Sequence, residues 1–414
     1  MNFLVLTLGS HGDVHPFVGI ATALRARGHT VKFAASSYFA PLIEATGLDF
    51  VPLGKPEDFE SIARDPKIWH PLHGMKMISR SIGDSIGPCY QAILDHAVPD
   101  KTVLVFSTLV FAARIAQETL KLRGASVHLA PSIFLSADAP PAFNGKALPM
   151  WLPRVFRQFI FDVSETLFMQ PMFGRPVNAF RTKLGLPLAR RIISQWCHSP
   201  DRVIGLFPEW FASKQRDWPP QTVLTGFPLY DEKDVTPLPP RLEEFLTSGS
   251  PPIAFTPGSA MFFGQKFFAA AVDACRRLGR RGVLLTRHAE QIPANLPENV
   301  IHVPFAPFGL LLPRCAAVVH HGGIGSTAQG LSSGIPQLLM PMNFDQPDNA
   351  LRVKRLGTGD FLVPKRFTGE TVAAALATLI DSPIVEKACR AVSQRVAAAD
   401  ALAQTAQCLE QLSP

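Results

Sequence analysis

Eight consecutive residues, His320-His321-Gly322-Gly323-Ile324-Gly325-Ser326-Thr327, are of the types that grip a phosphate. They follow an apolar run, 316–320, that reads as a buried strand, and they open a stretch with helical spacing. Glycines at such a junction let the backbone approach an anion. The first turn of the helix then offers N–H groups and a partial positive charge. Ser326 and Thr327 add hydroxyl donors, and a histidine beside a diphosphate can donate a hydrogen bond or carry charge. The run lacks the Gly-Lys-Ser/Thr of a Walker loop and the acid-linked GxGxxG of a dinucleotide site. A purely structural glycine turn is the alternative. After one further helix and the strand 337–340 come Asp345 and Gln346, on a loop at a strand's C-terminal end. Open α/β sheets bind ligands there, and an acid beside an amide suits a ring of hydroxyls. The same two side chains would serve equally well as a helix cap or Asx turn.

The elements that position these residues alternate strand and helix. Runs 2–8, 30–35, 102–106 and 126–129 are short and apolar, as in strands buried on both faces. The turn Gly9 to Asp13 follows the first of them. Pro16 is expected near a helix start, and Gly28 closes that helix. The rhythm fades over 131–200, a stretch dense in proline and aromatics. It reads as an elaboration of the first domain, either an acceptor-side lid or pocket or a helical insertion that only packs. Prolines 237, 239, 240, 251 and 252 mark a linker. Strands then resume at 253–255, 282–286, 300–303, 316–320 and 337–340. The expected class is α/β, with two Rossmann-like, doubly wound parallel sheets. The expected domains are 1–222, with the 131–200 insertion, and 251–390, joined by a linker at 223–250. A C-terminal helix in 391–414 is expected to pack back on the first domain.

The bulk numbers narrow the classes. A chain of 414 residues suits two ordinary domains, and 47% apolar against 18% charged residues rules against wholesale disorder. The net charge of +7 includes no Lys/Arg run of the kind that holds nucleic acid. The densest basic stretch is Arg154, Arg157, Arg175, Arg181, Lys183, Arg190 and Arg191. It is interleaved with Phe156, Phe159, Phe161, Phe168 and Phe173. That pattern reads as a solvated helix face with a buried aromatic side, or as a contact for lipid headgroups or an amphiphile. The six cysteines are scattered, as thiols are in a reducing cytosol. The N-terminus lacks a secretory pattern, and no apolar run spans a bilayer. The expected location is cytoplasmic, with transient contact at the inner membrane.

Over 305–349, the series FAP, HHGGIGST, GIPQLLMP and DQPDNA resembles the donor-binding signature of the family-1 (GT-B) glycosyltransferases. The resemblance extends to GSHGDVHPF at the start. On that motif, and on QWCHSP, LFP-x-WFA, DWP and TGFP within 195–228, the sequence is most similar to the branch that makes rhamnolipids. The family resemblance implies two domains facing a cleft. It also implies an inverting, metal-independent transfer from a nucleoside diphosphate sugar, with no further cofactor. His321 matches the family's diphosphate histidine, and His320 is the alternative one residue away. Gly323, Gly325 and Ser326 match phosphate donors, and Gly258 and Ser259 match the turn on the other side. Phe305, followed by Ala306, stands near a base-stacking tryptophan. Gln329 replaces a ribose-binding glutamate, a departure that weakens that contact. Asp345 and Gln346 match the pair on the sugar hydroxyls. Asp13 matches the base that takes the acceptor's proton, with His11 and His15 as rivals and a helix cap as the structural alternative. No Asp-x-Asp metal motif occurs. The implied partners are dTDP-rhamnose with a hydroxyalkanoyl-hydroxyalkanoate, or UDP-glucose with a sterol, polyketide or other lipophilic alcohol. A sugar-nucleotide epimerase or a degenerate binding module would share the phosphate cradle but not the need for a base.

Overall fold

The computed structural model describes residues 1–142, 147–233 and 236–412, so small parts of the expected insertion (143–146), linker (234–235) and C-terminal helix (413–414) lie outside it. Among the described residues, thirteen strands form two parallel sheets. The first has seven: β1 (Asn2–Leu6), β2 (Thr30–Ser36), β3 (Asp49–Leu53), β4 (Thr102–Ser107), β5 (Arg123–His128), β6 (Arg202–Gly205) and β7 (Thr222–Leu224). Their spatial order is β3-β2-β1-β4-β5-β6-β7. The second has six: β8 (Ile253–Thr256), β9 (Gly282–Leu285), β10 (Val300–Val303), β11 (Ala317–His320), β12 (Gln337–Leu339) and β13 (Gly359–Phe361), in the order β10-β9-β8-β11-β12-β13.

Eight of the helices bear on the site and its surroundings. They are α1 (His11–Ala26), α2 (Arg154–Ser164), α3 (Arg175–Lys183), α4 (Pro240–Thr247), α5 (Ile324–Ser333), α6 (Gln346–Arg355), α7 (Pro383–Ala397) and α8 (Ala401–Glu410). A π-helix, Glu165–Gly174, joins α2 to α3. The class expected from the sequence is therefore present twice. Central strands are covered on both faces, which is why they read as unbroken apolar runs: every residue of β4 and β8 is buried.

Each sheet reverses its direction of winding once, between β1 and β4 in the first and between β8 and β11 in the second. The loops leaving the carboxyl ends of strands at such a switch diverge to opposite faces and leave a crevice. Asp13 follows β1. Gly258 and His321 follow β8 and β11.

The chain divides into two compact units. One comprises Met1–Pro141, Ala147–Pro228 and Asp400–Pro414, and the other Ala142–Lys146 and Leu229–Ala399. The first unit therefore runs past 222, and the stretch read as a linker is structured at both ends. Thr222–Leu224 is an edge strand and Pro240–Thr247 is helix α4, opened by a proline that needs no N–H partner there. Proline density misled because prolines bracket the elements rather than replace them. Pro16 differs too. The helix begins at His11, so Pro16 lies inside it and removes one backbone bond near its start.

The C-terminal end splits between the units. Helix α7 stays with the second, while α8 belongs to the first and packs against α1. Glu410 on α8 accepts both forks of Arg27 at 2.7 Å and sits 2.7 Å from His29 Nε2. Those bonds pull the Glu410 carboxyl down to about 2. Deeper in, the Thr405 and Thr225 hydroxyls lie 2.7 Å apart with both residues buried. Thr405→Val strands the Thr225 hydroxyl and is expected to cost about 1–3 kcal/mol. The check is a lower urea midpoint, together with faster hydrogen exchange across α8.

Candidate active site

In the second unit the site is built around one imidazole. His320 is the last residue of β11 and is fully buried. Its Nε2 lies 2.9 Å from Gln337 Oε1, and its Nδ1 accepts the Gly322 N–H at 3.0 Å. An amide oxygen only accepts, so Nε2 carries the proton and the ring is neutral. Burial pushes its pKa down to about 4, against the opposing Gln337 bond. With both nitrogens committed, His320 anchors the strand end and has no atom left for a ligand. Of the two histidines, His321 is the one the geometry offers.

His321 is half-buried, yet its ring is hemmed in by two glycines. A Cβ on Gly258 would come within 2.6 Å of His321 Cε1, and one on Gly323 within 2.5 Å of Nε2. Gly258 also has φ +96°, a conformation that side chains rarely adopt. Both glycines thus make room for the ring, a reason the sequence motif alone did not reveal. Among the described residues its Nδ1 is buried without a partner, so the ring keeps an unmet hydrogen-bonding atom. Burial first, and neighbouring His320 second, push the His321 pKa down to about 3. The ring is therefore a neutral hydrogen-bonding group, not a charge.

Helix α5 starts beside it with Gly323 as N-cap. Asp345 Oδ2 accepts the Ile324 N–H at 3.1 Å and the Asn349 amide at 2.7 Å. The first donor of α5 is therefore used within the protein. The N–H groups of Gly325 and Ser326, which have no helical carbonyl behind them, remain for an anion. Asn349 also donates to Gly322 O at 2.9 Å, tying α6 to the glycine turn. Gln346 is buried, and its Oε1 accepts from Met342 N at 2.8 Å and Asn343 N at 3.2 Å. Asp345 and Gln346 thus shape the loop, although the Asp345 side chain makes no cap bond to its own helix α6 and bonds to the start of α5 instead. Between them and β12, Phe344 is held at φ +60°, an uncommon conformation for an aromatic residue.

The remaining expected residues surround this centre. Ser259 is exposed on the β8 loop, and Ser326 is half-buried on α5. Thr327 is fully buried, so its hydroxyl, counted as a donor in the sequence, is out of reach of a ligand. Gln329 is largely buried on α5. Phe305 is half-buried beyond β10, with the Arg287 guanidinium 5.2 Å from its ring centre, and Ala306 is buried behind it.

In the first unit, Ser10 caps α1 and Asp13 is its third residue. Asp13 Oδ2 accepts from Ser10 N at 2.7 Å and Ser10 Oγ at 3.0 Å. Both bonds fall on one oxygen, so capping and proton transfer are compatible, with Oδ1 the atom outside the cap. Burial raises the Asp13 pKa, and the Ser10 bonds only partly offset it. Gly9, at φ +126°, is needed here, because a Cβ would sit 2.3 Å from Asp13 Oδ2. His11 and His15 lie edge to face 5.7 Å apart on the same turn, and His11 packs against Phe39. A buried pair not singled out in the sequence lies further along. His128 Nε2 is 2.9 Å from His198 Nδ1, and His128 Nδ1 is 2.7 Å from the Thr108 hydroxyl just past β4.

With this geometry in place, comparison with known proteins assigns the family. The family described as Erythromycin biosynthesis protein CIII-like, C-terminal domain, matches residues 280–412, and the Glycosyltransferase family 28 N-terminal domain matches residues 3–135. The O-mycaminosyltylonolide 6-deoxyallosyltransferase of Streptomyces fradiae is 31% identical, over 96% of this chain and 94% of its own. The sterol 3-beta-glucosyltransferase UGT80A2 of Arabidopsis thaliana is 26% identical, over 94% of this chain and 62% of its own. The solved structure of the glycosyltransferase VinC in complex with DTDP shares the fold, at TM-score 0.72, 20% identity and coverage of 100% and 99% of the two chains. This protein belongs to the family-1, GT-B-type glycosyltransferases.

Gly258→Ala displaces the His321 ring and is expected to weaken nucleoside diphosphate binding by about tenfold or more. Titration calorimetry checks it, with circular dichroism unchanged. The buried imidazoles also set a pH dependence. His128, His198 and His320 are buried and His321 is half-buried with its ring enclosed, and all four have lowered pKa values, His198 to about 4. Unfolding lets them take up protons below the ordinary value of 6.5. Their contribution to stability is therefore complete above that pH and is lost as pH falls toward 4 and below. Thermal midpoints measured from pH 7.5 to 4.5 should fall, most steeply below 6.5.

Proposed function

We propose that this glycosyltransferase moves a sugar from a nucleoside diphosphate sugar to a hydroxyl of a lipophilic acceptor, without a metal and with inversion. The observation that carries this reading is the neutral imidazole of His321. It is seated between two glycine turns, beside N–H groups that no helical carbonyl takes, at the switch point of the second sheet. That is a cradle for a diphosphate leaving group, whose charge is met by hydrogen-bond donors rather than by a cation. Phe305 beyond β10 would stack on the base, and Asp345 and Gln346 would meet the sugar hydroxyls. Asp13 would remove the acceptor's proton through Oδ1 as the acceptor oxygen bonds to the anomeric carbon. The bond to the diphosphate breaks on the opposite face. A carboxyl raised by burial is a stronger base than an ordinary aspartate.

The sharper form of the proposal is L-rhamnose from dTDP-rhamnose onto a hydroxyalkanoyl-hydroxyalkanoate. It is supported by the resemblance of GSHGDVHPF, QWCHSP and TGFP to the rhamnosyltransferase of rhamnolipid biosynthesis. UDP-glucose transfer to a sterol or polyketide alcohol is the second reading. Glucosyl transfer to a sterol is the activity in the Arabidopsis relative's name, and that of the Streptomyces relative supports only the tylonolide type of acceptor. Incubation with each nucleotide sugar and each class of acceptor separates the two, and loss of product in EDTA would refute metal independence. Asp13→Asn should lower kcat by about 10²- to 10⁴-fold while nucleoside diphosphate binding is retained. In the parent enzyme, kcat/KM should fall on acidification as the base is protonated, with an inflection above the 3.8 of an ordinary aspartate.

A further inference from the structure

The helical run from α2 through the π-helix is inside out. The residues it turns inward include two charged ones. Arg157 donates to Ala137 O at 2.7 Å and Met150 O at 2.8 Å. Glu165 accepts the Ile193 and Ser194 N–H groups at 3.1 and 3.2 Å. Both are under 10% exposed, as is Phe161 between them. At the same helical spacing, the outward stripe is apolar: Val155 is 75% exposed, Phe156 58%, Phe159 62% and Leu167 62%. Trp151, just before the helix, is 82% exposed. A water-facing helix normally has the reverse arrangement, and a contiguous apolar stripe of this kind marks a surface that meets something.

The surrounding charge says what. Between 150 and 191 there are seven Lys/Arg against two Asp/Glu, so most of the net +7 lies here. Arg157 and Arg181 are buried and bonded, and Arg154 and Arg191 are paired with Asp138 and Asp162. Arg175, Lys183 and Arg190 are exposed, with no ion pair among the described residues. Exposed aromatic and aliphatic side chains, followed along the same helical run by cations without an ion pair and preceded by a tryptophan, match the chemistry of an anionic bilayer surface. No helix among the described residues is long and apolar enough to cross a membrane. We propose that this stripe seats the protein on the surface of an anionic lipid bilayer. Its aromatic face enters the headgroup region, and Arg175, Lys183 and Arg190 lie against lipid phosphates.

The proposal does not depend on the identity of donor or acceptor, and its test uses no enzymatic readout. Full-length protein is floated with vesicles of phosphatidylcholine, with and without phosphatidylglycerol. The parent should float with the anionic vesicles and much less with the neutral ones. Phe156→Ser/Phe159→Ser should stay behind with an unchanged thermal midpoint, since both sites already face water. Arg175→Glu and Lys183→Glu should each weaken anionic binding by about fivefold, and added salt should do the same. Flotation with neither vesicle would overturn the proposal. So would a concentration-dependent dimer, seen without lipid by analytical ultracentrifugation, that the double serine variant abolishes.

Discussion

The room made for one imidazole organises the second unit. His321 fits only if the turn after β8 and the turn after β11 both come close and neither presents a Cβ. Gly258 and Gly323 meet that demand, and the order of strands makes the two turns neighbours. The adjacent histidine shows how sharply the backbone divides roles. Alternation along an extended strand sends neighbouring side chains to opposite sides. His320 therefore points into the protein and locks Gln337 and the Gly322 N–H, while His321 reaches the crevice. Burial holds both rings neutral, so they offer hydrogen bonds rather than charge.

The first unit solves an analogous problem with a different group. At its own switch point a carboxylate, not an imidazole, follows the first strand, and again a glycine gives it room. Asp13 commits one oxygen to the helix cap and keeps the other outside it, so starting the helix occupies only half of the carboxylate. Asp345 divides its roles in a similar way. Its Oδ2 closes the first N–H of α5 and the amide of Asn349, which fixes where the remaining donors point. A side chain that resembles a substrate contact by its place in a motif is also structural, because a loop at a helix start leaves backbone donors that something must satisfy.

Much of this is legible in the sequence. Buried parallel strands leave unbroken apolar runs, so two doubly wound sheets can be read directly, and glycine-rich turns after strands mark both switch points. The domain boundary is less legible. Prolines at 239 and 240 resemble a linker, but one of them opens α4, and local sequence does not distinguish a proline that starts a helix from one that prevents it. The run 150–191 shows the same limit in another form. Its periodicity makes plain that the helix has two faces. It does not say that the face with Arg157 and Glu165 is the inner one, because that depends on carbonyls and N–H groups brought in from 137, 150, 193 and 194.

Local sequence thus determined the architecture and the short list of chemical groups: a carboxylate in the first turn, paired histidines, glycines and an acid-amide pair in the second half. Residue type and period act over a few neighbours, and those neighbours are contiguous in the sequence. Tertiary structure alone decided which histidine is available, why Gly9, Gly258 and Gly323 must lack a side chain, and that Thr327 is buried rather than offered. Each of those outcomes rests on atoms distant in sequence meeting within a few ångströms, where steric exclusion and the loss of water act and where residue spacing carries no information.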